Sequence, residues 1–308
     1  MNQTKYLYYP KEVSKAKICL ESEDGRHRVT LGNITCDFCG LGAVIVDEDI
    51  LYIPTIKGQE YHLREEPNCL FYGGRGSAKS TTGRWDAHIR ALMYPGFTYV
   101  ILRRTFPELQ RSHLSFIDYE MSKLGGTFHH TDKIAIYPNG SRGTFAHCQD
   151  DKDVLKLLSA EYGLAVFDEL TTFEWEMFLK LAASVRVPVG SGYKALVRGL
   201  TNPLGVSASE VLQYFVTKDV DPETNIDYNP HDWHAIKANL GDNPHLDKTE
   251  YLKRFTGFSV AVRKAWIEGE FVDEAALFDF KPTVEGQSYH VINEMPTIGG
   301  RYILEYAW

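Results

Sequence analysis

The chain lacks the features that mark membrane and secreted proteins. Among its 308 residues, no apolar run approaches the roughly 20 residues that a membrane-spanning helix requires. The N-terminus shows no signal-peptide pattern. We therefore expect a soluble, intracellular protein whose length allows one large α/β domain and a smaller additional piece.

Cysteine is scarce. There are five cysteines, and an odd, sparse set argues against a disulfide framework. Cys36 and Cys39 form one C-x-x-C pair with no second pair of ligands nearby. An ordinary turn with two thiols is therefore favoured over zinc binding or redox use.

The chain also lacks the excess of basic residues that usually accompanies nucleic-acid binding, because its net charge is −8. A local basic face can nevertheless coexist with an acidic total. Global charge therefore leaves the partner undecided.

The most informative stretch that is present is a glycine-rich loop between an apolar run, residues 69–72, and a predicted helix that ends near Met93. Strand, loop and helix N-terminus in this order form a phosphate cradle, because backbone N–H groups and the helix dipole converge there. We expect Lys79 to reach the β/γ-phosphates and the Ser80 hydroxyl to hold Mg²⁺. The predicted nucleotide-binding residues are Gly73, Gly74, Arg75, Gly76, Ser77, Ala78, Lys79, Ser80 and Thr81.

The loop departs from the pattern G-x-x-x-x-G-K-[ST] at one position, where Ala78 replaces the second glycine. Alanine is helix-compatible and adds only a methyl group, so we expect the loop still to close on phosphate. A glycine-rich turn without a ligand is the alternative. The strand before the loop, the helix after it and the Lys-Ser-Thr sequence disfavour that alternative.

A second motif is the apolar strand at residues 163–167, which ends in Asp168 and Glu169. The aspartate is expected to orient Mg²⁺ through water or through Ser80, and the glutamate to polarise the attacking water. Further strand candidates, residues 99–102 and a hairpin at 134–146, lie between the two motifs. Together they predict an α/β P-loop NTPase fold with a mainly parallel sheet flanked by helices.

Other polar residues flank these motifs. The amide of Gln59 can reach an adenine edge, although a surface position is equally compatible with the sequence. Arg103 and Arg104 follow a strand at the edge where α/β sheets bind ligands. Thr201 and Asn202 end another strand, where they can report the γ-phosphate or simply terminate the strand in a turn.

Taken in order, these segments resemble the large terminase subunit of tailed bacteriophages over roughly residues 54–280. The resemblance lies in residues 73–80, 100–105, 137–141, 168–169, 201–203, 242–244 and 269–271. It implies an ATPase of the class with an added strand and a catalytic glutamate, which uses ATP and Mg²⁺ to pump double-stranded DNA into the prohead. It also implies the portal protein and the small terminase subunit as partners and a ring homo-oligomer during packaging. It further implies a location in the host cytoplasm, transiently at the portal vertex, without a membrane.

The resemblance also implies residue roles. Asp168 and Glu169 take the Mg²⁺ and water roles. Arg75, inside the phosphate loop, is the candidate for contact with the γ-phosphate in cis. Thr201 and Asn202 form the motif that couples hydrolysis to movement.

The sequence divides into three parts. Residues 1–53 are expected to form an N-terminal extension, and residues 54–275 a P-loop ATPase domain with a helical, lid-like subdomain. Residues 276–308 are expected to be a linker and the start of an RNase H-like nuclease domain, so we expect no nuclease activity from this chain.

Two other functions stay open at this point. One is a different P-loop ATPase, such as a helicase-like DNA translocase. The other is a nucleotide-binding assembly module with little turnover. Ala78 is the only residue that suggests this function.

The source of an arginine at the γ-phosphate is also open. Arg75 can act in cis, whereas Arg103, Arg104 and Arg186 can act in trans within a ring. All four can instead pair with acidic neighbours, and for Arg186 such pairing is the expectation.

Overall fold

The computed structural model describes residues 44–46, 49–52, 54–223, 225–243, 246–272, 283–284 and 287–288. The chain divides into two compact units, Met1–Val272 and Asp273–Trp308. Most of the predicted extension, including Cys36 and Cys39, lies outside the described residues, and so does most of the predicted linker. Within the described residues, every helix is too short or too polar to span a bilayer.

The strands of the first unit are numbered in chain order. They are β1 (Val44–Val46), β2 (Asp49–Tyr52), β3 (Asn68–Gly73), β4 (Thr98–Arg103), β5 (Thr127–His129), β6 (Ile134–Ile136), β7 (Arg142–His147), β8 (Leu164–Asp168), β9 (Leu196–Thr201) and β10 (Trp233–Ala238). In the second unit, β11 (Thr283–Val284) and β12 (Gln287–Ser288) form an antiparallel pair.

An eight-stranded sheet forms the centre of the first unit, in the order β10-β3-β9-β8-β4-β7-β6-β5. All neighbours from β10 to β7 are parallel, and β6 and β5 extend the sheet by antiparallel pairing. The predicted mainly parallel sheet and the β6–β7 hairpin are thus confirmed. Strand β9 lies between the phosphate-loop strand β3 and the Asp-Glu strand β8, so these two strands are not neighbours.

The helices cover both faces of this sheet. They are α1 (Ile56–His62), α2 (Lys79–Met93), α3 (Phe106–Leu109), α4 (Ser115–Lys123), α5 (Asp151–Leu158), α6 (Trp175–Ala182), α7 (Ala208–Val211), α8 (Lys248–Lys253) and α9 (Val260–Arg263). Within the described part of the chain, π-helical segments continue or link helices at Gln110–Leu114, Leu212–Thr217 and Lys264–Glu268.

The sequence also predicts helices over residues 172–183, 207–216 and 259–268, and the structure corrects all three. The helix predicted over 172–183 begins only at Trp175, after a 3₁₀ turn at Leu170–Thr172. The helices predicted over 207–216 and 259–268 continue as π-helix beyond Val211 and Arg263. Apolar periodicity does not distinguish an i→i−4 from an i→i−5 hydrogen-bond pattern, which explains the two latter differences.

The central strands read as continuous apolar runs because the sheet is covered on both sides. In β3, Phe71 packs into the cluster on one face and Leu70 into the cluster on the other. In β4, Ile101 packs on the same face as Phe71, and Val100 packs on the same face as Leu70. This burial holds the carboxyl ends of β3, β4, β8 and β9 at one common edge.

A buried polar network fixes α2 above that edge. Arg84 pairs with both carboxylate oxygens of Glu120 in α4, at 2.8 and 2.9 Å. His88 contacts the same carboxylate at 3.1 Å and the hydroxyl of Tyr137 with its other ring nitrogen. Because each buried charge is paired, the network sets the orientation of α2 and thereby the position of its N-terminus.

Candidate active site

The loop between β3 and α2 is shaped by close backbone contacts. Gly73 has φ +143°, and a Cβ atom there would lie 1.8 Å from the carbonyl oxygen of Ala238. A Cβ atom on Gly74 would lie 2.4 Å from the carbonyl oxygen of Ile267. The C-terminal segments of the unit therefore pack directly on the loop and require glycine at these positions.

Ala78 is left-handed, with φ 65° and ψ 21°, and it immediately precedes α2. The expectation that alanine suits this position because it is helix-compatible is wrong. The pattern has glycine here because the turn needs positive φ. Alanine adopts that conformation at a cost of about 1 kcal/mol.

The N-terminus of α2 presents a set of free donors. Among the described residues, the backbone N–H groups from Gly76 to Ser80 have no backbone partner. Arg75 N–H and Gly74 N–H donate instead to the carbonyls of Trp266 and Ala238, at 2.6 and 3.2 Å. The unpaired N–H groups and the dipole of a 15-residue helix suit this loop to bind an anion.

Lys79 is buried at the centre of the loop. Its ammonium group donates to the carbonyl oxygens of Gly73 and Gly74, at 3.0 and 2.8 Å, and to Asn202 Oδ1 at 2.9 Å. Burial lowers the pKa of Lys79 to about 8, although the charges of Glu169 and Asp168 oppose that shift.

Ser80 and Asp168 meet at the end of β8. The Ser80 hydroxyl donates to Asp168 Oδ1 at 3.0 Å. Burial by itself raises the pKa of Asp168, but the His113 hydrogen bond and the Arg103 charge outweigh it and keep the pKa below its usual value. A hydroxyl and an ionised carboxylate are hard oxygen ligands, so this donor pair fits Mg²⁺. Among the described residues, no group of three or more His, Cys, Asp or Glu side chains could hold a metal by itself. The remaining ligands at this pair would therefore be phosphate oxygens and water.

Glu169 follows directly in a left-handed conformation, with φ 60° and ψ 54°. Its carboxylate accepts hydrogen bonds from the Asn202 side-chain amide at 3.1 Å and from the Asn202 backbone at 3.3 Å. Burial, and then the negative charge of Asp168, raise the pKa of Glu169. A raised pKa makes the carboxylate a stronger proton acceptor.

Asn202 and Thr201 have different surroundings. Asn202 lies between Lys79 and Glu169 and contacts both. The Thr201 hydroxyl instead contacts the Thr171 hydroxyl at 2.6 Å and donates to the Asn202 carbonyl at 2.9 Å. The Thr201 hydroxyl therefore stabilises the strand end that carries Asn202. It makes no hydrogen bond with the described Lys79 or Glu169 side chains.

The arginines that follow β4 take separate positions. Arg103 lies inside the site, with Nη1 3.4 Å from Asp168 Oδ2 and 3.9 Å from Glu169 Oε1. Arg104 donates to the Cys148 carbonyl at 2.9 Å and lies 3.8 Å from Glu174.

Arg186 and Arg75 are the other two candidates. Arg186 pairs with Glu161 at 2.9 Å on the exposed surface, the arrangement expected for this residue. Arg75 makes no ion pair with a described residue, and its guanidinium carbon lies 3.5 Å from the ring centroid of Trp266.

His113 and Trp266 are site residues that the sequence does not predict. His113 is fully buried, and its Nε2 lies 2.9 Å from Asp168 Oδ2. It lies on the π-helical segment Gln110–Leu114, 55 positions from Asp168 in the chain. A single histidine or tryptophan carries no motif, so no sequence signal could have identified either residue.

Two predicted nucleotide-binding residues lie at the margin of the loop. Thr81 is in the first turn of α2 and is partly exposed. Gln59 is in α1, next to Gly58. Gly58 packs against Thr82 of α2, because a Cβ atom on Gly58 would lie 3.2 Å from Thr82 Oγ1. Helix α1 thus packs near the N-terminal turn of α2.

The chain has a glycine-rich loop at the N-terminus of α2, and Asp168 and Glu169 are adjacent at the same sheet edge, with β9 between β3 and β8. This arrangement defines a P-loop NTPase fold. The family profile described as phage terminase large subunit matches residues 66–258. The chain belongs to the phage terminase large subunit family.

Solved structures share this fold. The large terminase of a thermophilic bacteriophage is 12% identical with a TM-score of 0.56, over 71% of this chain and 53% of that one. A mutant large terminase ATPase domain of a Thermus phage is 13% identical with a TM-score of 0.55, over 72% of this chain and 95% of that one. This chain thus spans about half of the first protein and nearly all of the second. A search of curated proteins finds no match.

Proposed function

We propose that this chain is the ATP-hydrolysing motor subunit that moves viral double-stranded DNA into the prohead. The observation that carries the proposal is the chain of contacts from Lys79 through Asn202 to Glu169, beside the Ser80–Asp168 pair. The large terminase of a thermophilic bacteriophage has been solved with ADP and with ATP-γ-S. Family membership extends nucleotide use to this chain.

Each group has a defined task in phosphate chemistry. The N–H groups of residues 76–80 and the Lys79 ammonium bind the β/γ-phosphates. Ser80 and Asp168 hold Mg²⁺, which neutralises negative charge on the phosphate oxygens. Glu169 accepts a proton from the attacking water, for which its raised pKa is suited. Gln59, in α1, is proposed to contact the adenine edge.

Asn202 links phosphate binding to the catalytic carboxylate. In this structure Lys79 donates to Asn202 Oδ1, while the Asn202 amide holds Glu169. When Lys79 turns toward phosphate, Asn202 loses one partner and its hold on Glu169 changes. Asn202 thus couples occupancy of the loop to the orientation of the base.

The partners in this proposal are double-stranded DNA, the portal protein and the small terminase subunit. The chain works as a ring of identical subunits at the portal vertex in the host cytoplasm. The terminase family match supports this assignment. A helicase-like translocase would share the same active site, but it would not depend on the portal.

Phosphate release with and without DNA and portal tests the proposal. Glu169→Gln keeps the size of the side chain but loses the base, so hydrolysis is expected to fall by roughly 10²–10⁴-fold while ATP binding persists. Glu176→Gln, on the exposed face of α6, is the matched control and should match the wild type. Hydrolysis by Glu169→Gln at the wild-type rate would contradict the assignment of the base.

Lys79→Ala tests the phosphate loop directly. Loss of a buried ammonium that contacts phosphate is expected to weaken nucleotide binding by roughly a hundredfold or more. Lys156→Ala, at an exposed lysine of α5, controls for charge. Tight nucleotide binding without turnover in the wild type, even with DNA and portal present, would favour the assembly module.

A further inference from the structure

Arg75 and Trp266 form a contact between the phosphate loop and the C-terminal part of the first unit. The Arg75 guanidinium carbon lies 3.5 Å from the Trp266 ring centroid, which is the distance of a stacked cation–π pair. Arg75 makes no ion pair with any described residue, and its guanidinium lies over the Trp266 ring. The aromatic face is therefore the identified partner of this charge.

The Trp266 backbone is held against the same loop. Its carbonyl accepts the Arg75 N–H at 2.6 Å, and the Ile267 carbonyl approaches Gly74 so closely that no Cβ would fit there. A Cβ atom on Gly269 would lie 2.5 Å from Gly73 Cα. Backbone contacts thus fix the position of the chain segment that carries Trp266, and the Phe258 ring lies 5.3 Å from the Trp266 ring.

The loop has two distinct sets of donors. The N–H groups of Gly74 and Arg75 are used by protein carbonyls, whereas those from Gly76 to Ser80 have no backbone partner within the described chain. Phosphate can therefore occupy the loop while Trp266 keeps its backbone contact with Arg75. Only the Arg75 side chain has to move for its guanidinium to reach a phosphate.

We propose that Trp266 is a positioning residue that holds the Arg75 guanidinium in a stacked position until a γ-phosphate withdraws it. This inference rests on the proposed function, since it needs ATP at the loop. A partly exposed cation–π contact is weaker than charge-assisted hydrogen bonds from an arginine to phosphate. The γ-phosphate therefore wins the competition for Arg75, whereas ADP offers no γ-phosphate and leaves the stack in place.

The Arg75–Trp266 stack also lowers the affinity for ATP. Nucleotide with a γ-phosphate binds best when Arg75 is unstacked, so its apparent affinity is reduced by the population that is stacked. Removing the ring is expected to tighten ATP-γ-S binding by roughly two- to fivefold and to leave ADP binding unchanged. A merely structural role would alter both nucleotides alike.

The test combines tryptophan fluorescence with equilibrium binding on the full chain. In the wild type, ATP-γ-S but not ADP should change the emission of Trp266 as the guanidinium leaves the ring. The change should disappear in Trp266→Phe and in Arg75→Gln, and persist in Trp175→Phe, which removes a tryptophan from α6. Trp266→Ala should raise the ratio of the ADP to the ATP-γ-S dissociation constant, with Trp266→Phe intermediate because its ring still stacks.

Each outcome bears on the inference. A wild-type protein that binds both nucleotides but shows the same emission with each would overturn it, as would an unchanged affinity ratio in Trp266→Ala. Thermal unfolding of each variant shows whether the fold is kept, and Trp266→Phe remains informative if Trp266→Ala does not fold. Failure of the wild type to bind any nucleotide would overturn the proposed function as well.

Discussion

The side-chain amide of Asn202 donates a hydrogen bond to the Glu169 carboxylate at 3.1 Å. The other end of the same amide accepts from Lys79 at 2.9 Å. One side chain from the end of β9 therefore bridges Lys79 and Glu169, the two residues proposed to bind phosphate and to accept a proton. Because β9 lies between β3 and β8, the strand order itself creates this bridge.

Asn202→Ala is expected to remove the coupling without removing the active site. Glu169 loses its donors from the amide, while Lys79, Ser80 and Asp168 keep their positions. The ratio of DNA-stimulated to DNA-free ATP turnover should fall toward one, and nucleotide affinity should change by less than about threefold. Steady-state phosphate release at increasing DNA concentration measures this ratio. An undiminished stimulation would show that coupling runs elsewhere.

Replacement of His113 is expected to weaken Mg²⁺ binding at the proposed Ser80–Asp168 site. The His113 Nε2 atom lies 2.9 Å from Asp168 Oδ2. Loss of a residue that orients a metal ligand typically lowers metal affinity by about tenfold or more. His113→Ala should therefore raise the Mg²⁺ concentration needed for half-maximal nucleotide binding by roughly tenfold. His113→Gln, whose amide can still donate, should show a smaller increase. His130→Ala, at an exposed histidine, is the control, and an equal Mg²⁺ midpoint in all variants would contradict the role.

Ala78→Gly is expected to be tolerated. Glycine relieves the left-handed conformation of Ala78 but adds flexibility to the unfolded chain, and the two effects are each about 1 kcal/mol. Stability and turnover should therefore change little, with turnover within about threefold of the wild type. Ala91→Gly makes the same change inside α2, where it should destabilise the protein by about 1 kcal/mol. A large gain in turnover would instead indicate that Ala78 restrains the enzyme.

Arg103→Ala is expected to lower hydrolysis in the same subunit. Arg103 lies 3.4 Å from Asp168 and 3.9 Å from Glu169 of its own chain, so a partner subunit should not replace it. Mixing Arg103→Ala subunits with Glu169→Gln subunits should therefore restore no activity. Arg186→Ala should stay active, because Arg186 only forms an exposed pair with Glu161. Activity regained on mixing would identify Arg103 as a residue acting in trans, and the same assay applies to Arg75 and Arg104.

Glu120→Gln is expected to change stability and its pH dependence. Burial raises the pKa of Glu120, but the hydrogen bonds and charges of His88 and Arg84 outweigh it and lower the pKa to about 2. Because the pKa is depressed in the folded state, the carboxylate stabilises the fold above pH ~4.5, and this contribution is lost as the pH falls toward 2. At pH 7 the variant should lose about 3 kcal/mol, and its free energy of unfolding should fall less steeply between pH 4.5 and 2. Denaturant unfolding across this range measures both effects. Glu176→Gln, at an exposed site, should follow the wild type.

Local sequence determined the parts of this protein that are continuous in the chain. An apolar run followed by glycines and Lys79-Ser80 specifies strand, loop and helix within a few residues. Asp168 and Glu169 are likewise specified by the strand that they end. The mainly parallel sheet also followed, since strands separated by helical crossovers pair in parallel.

The tertiary structure alone decided which distant residues complete the site. His113 and Trp266 reach the carboxylates and the loop only because helices and strands pack in one particular order. The close approach of the Ala238 and Ile267 carbonyls to Gly73 and Gly74 was likewise invisible, since these groups come from distant parts of the chain. Such contacts depend on side-chain packing across the whole core. In a close-packed core, the position of each residue is determined by the residues around it in space, which can be far away in the sequence.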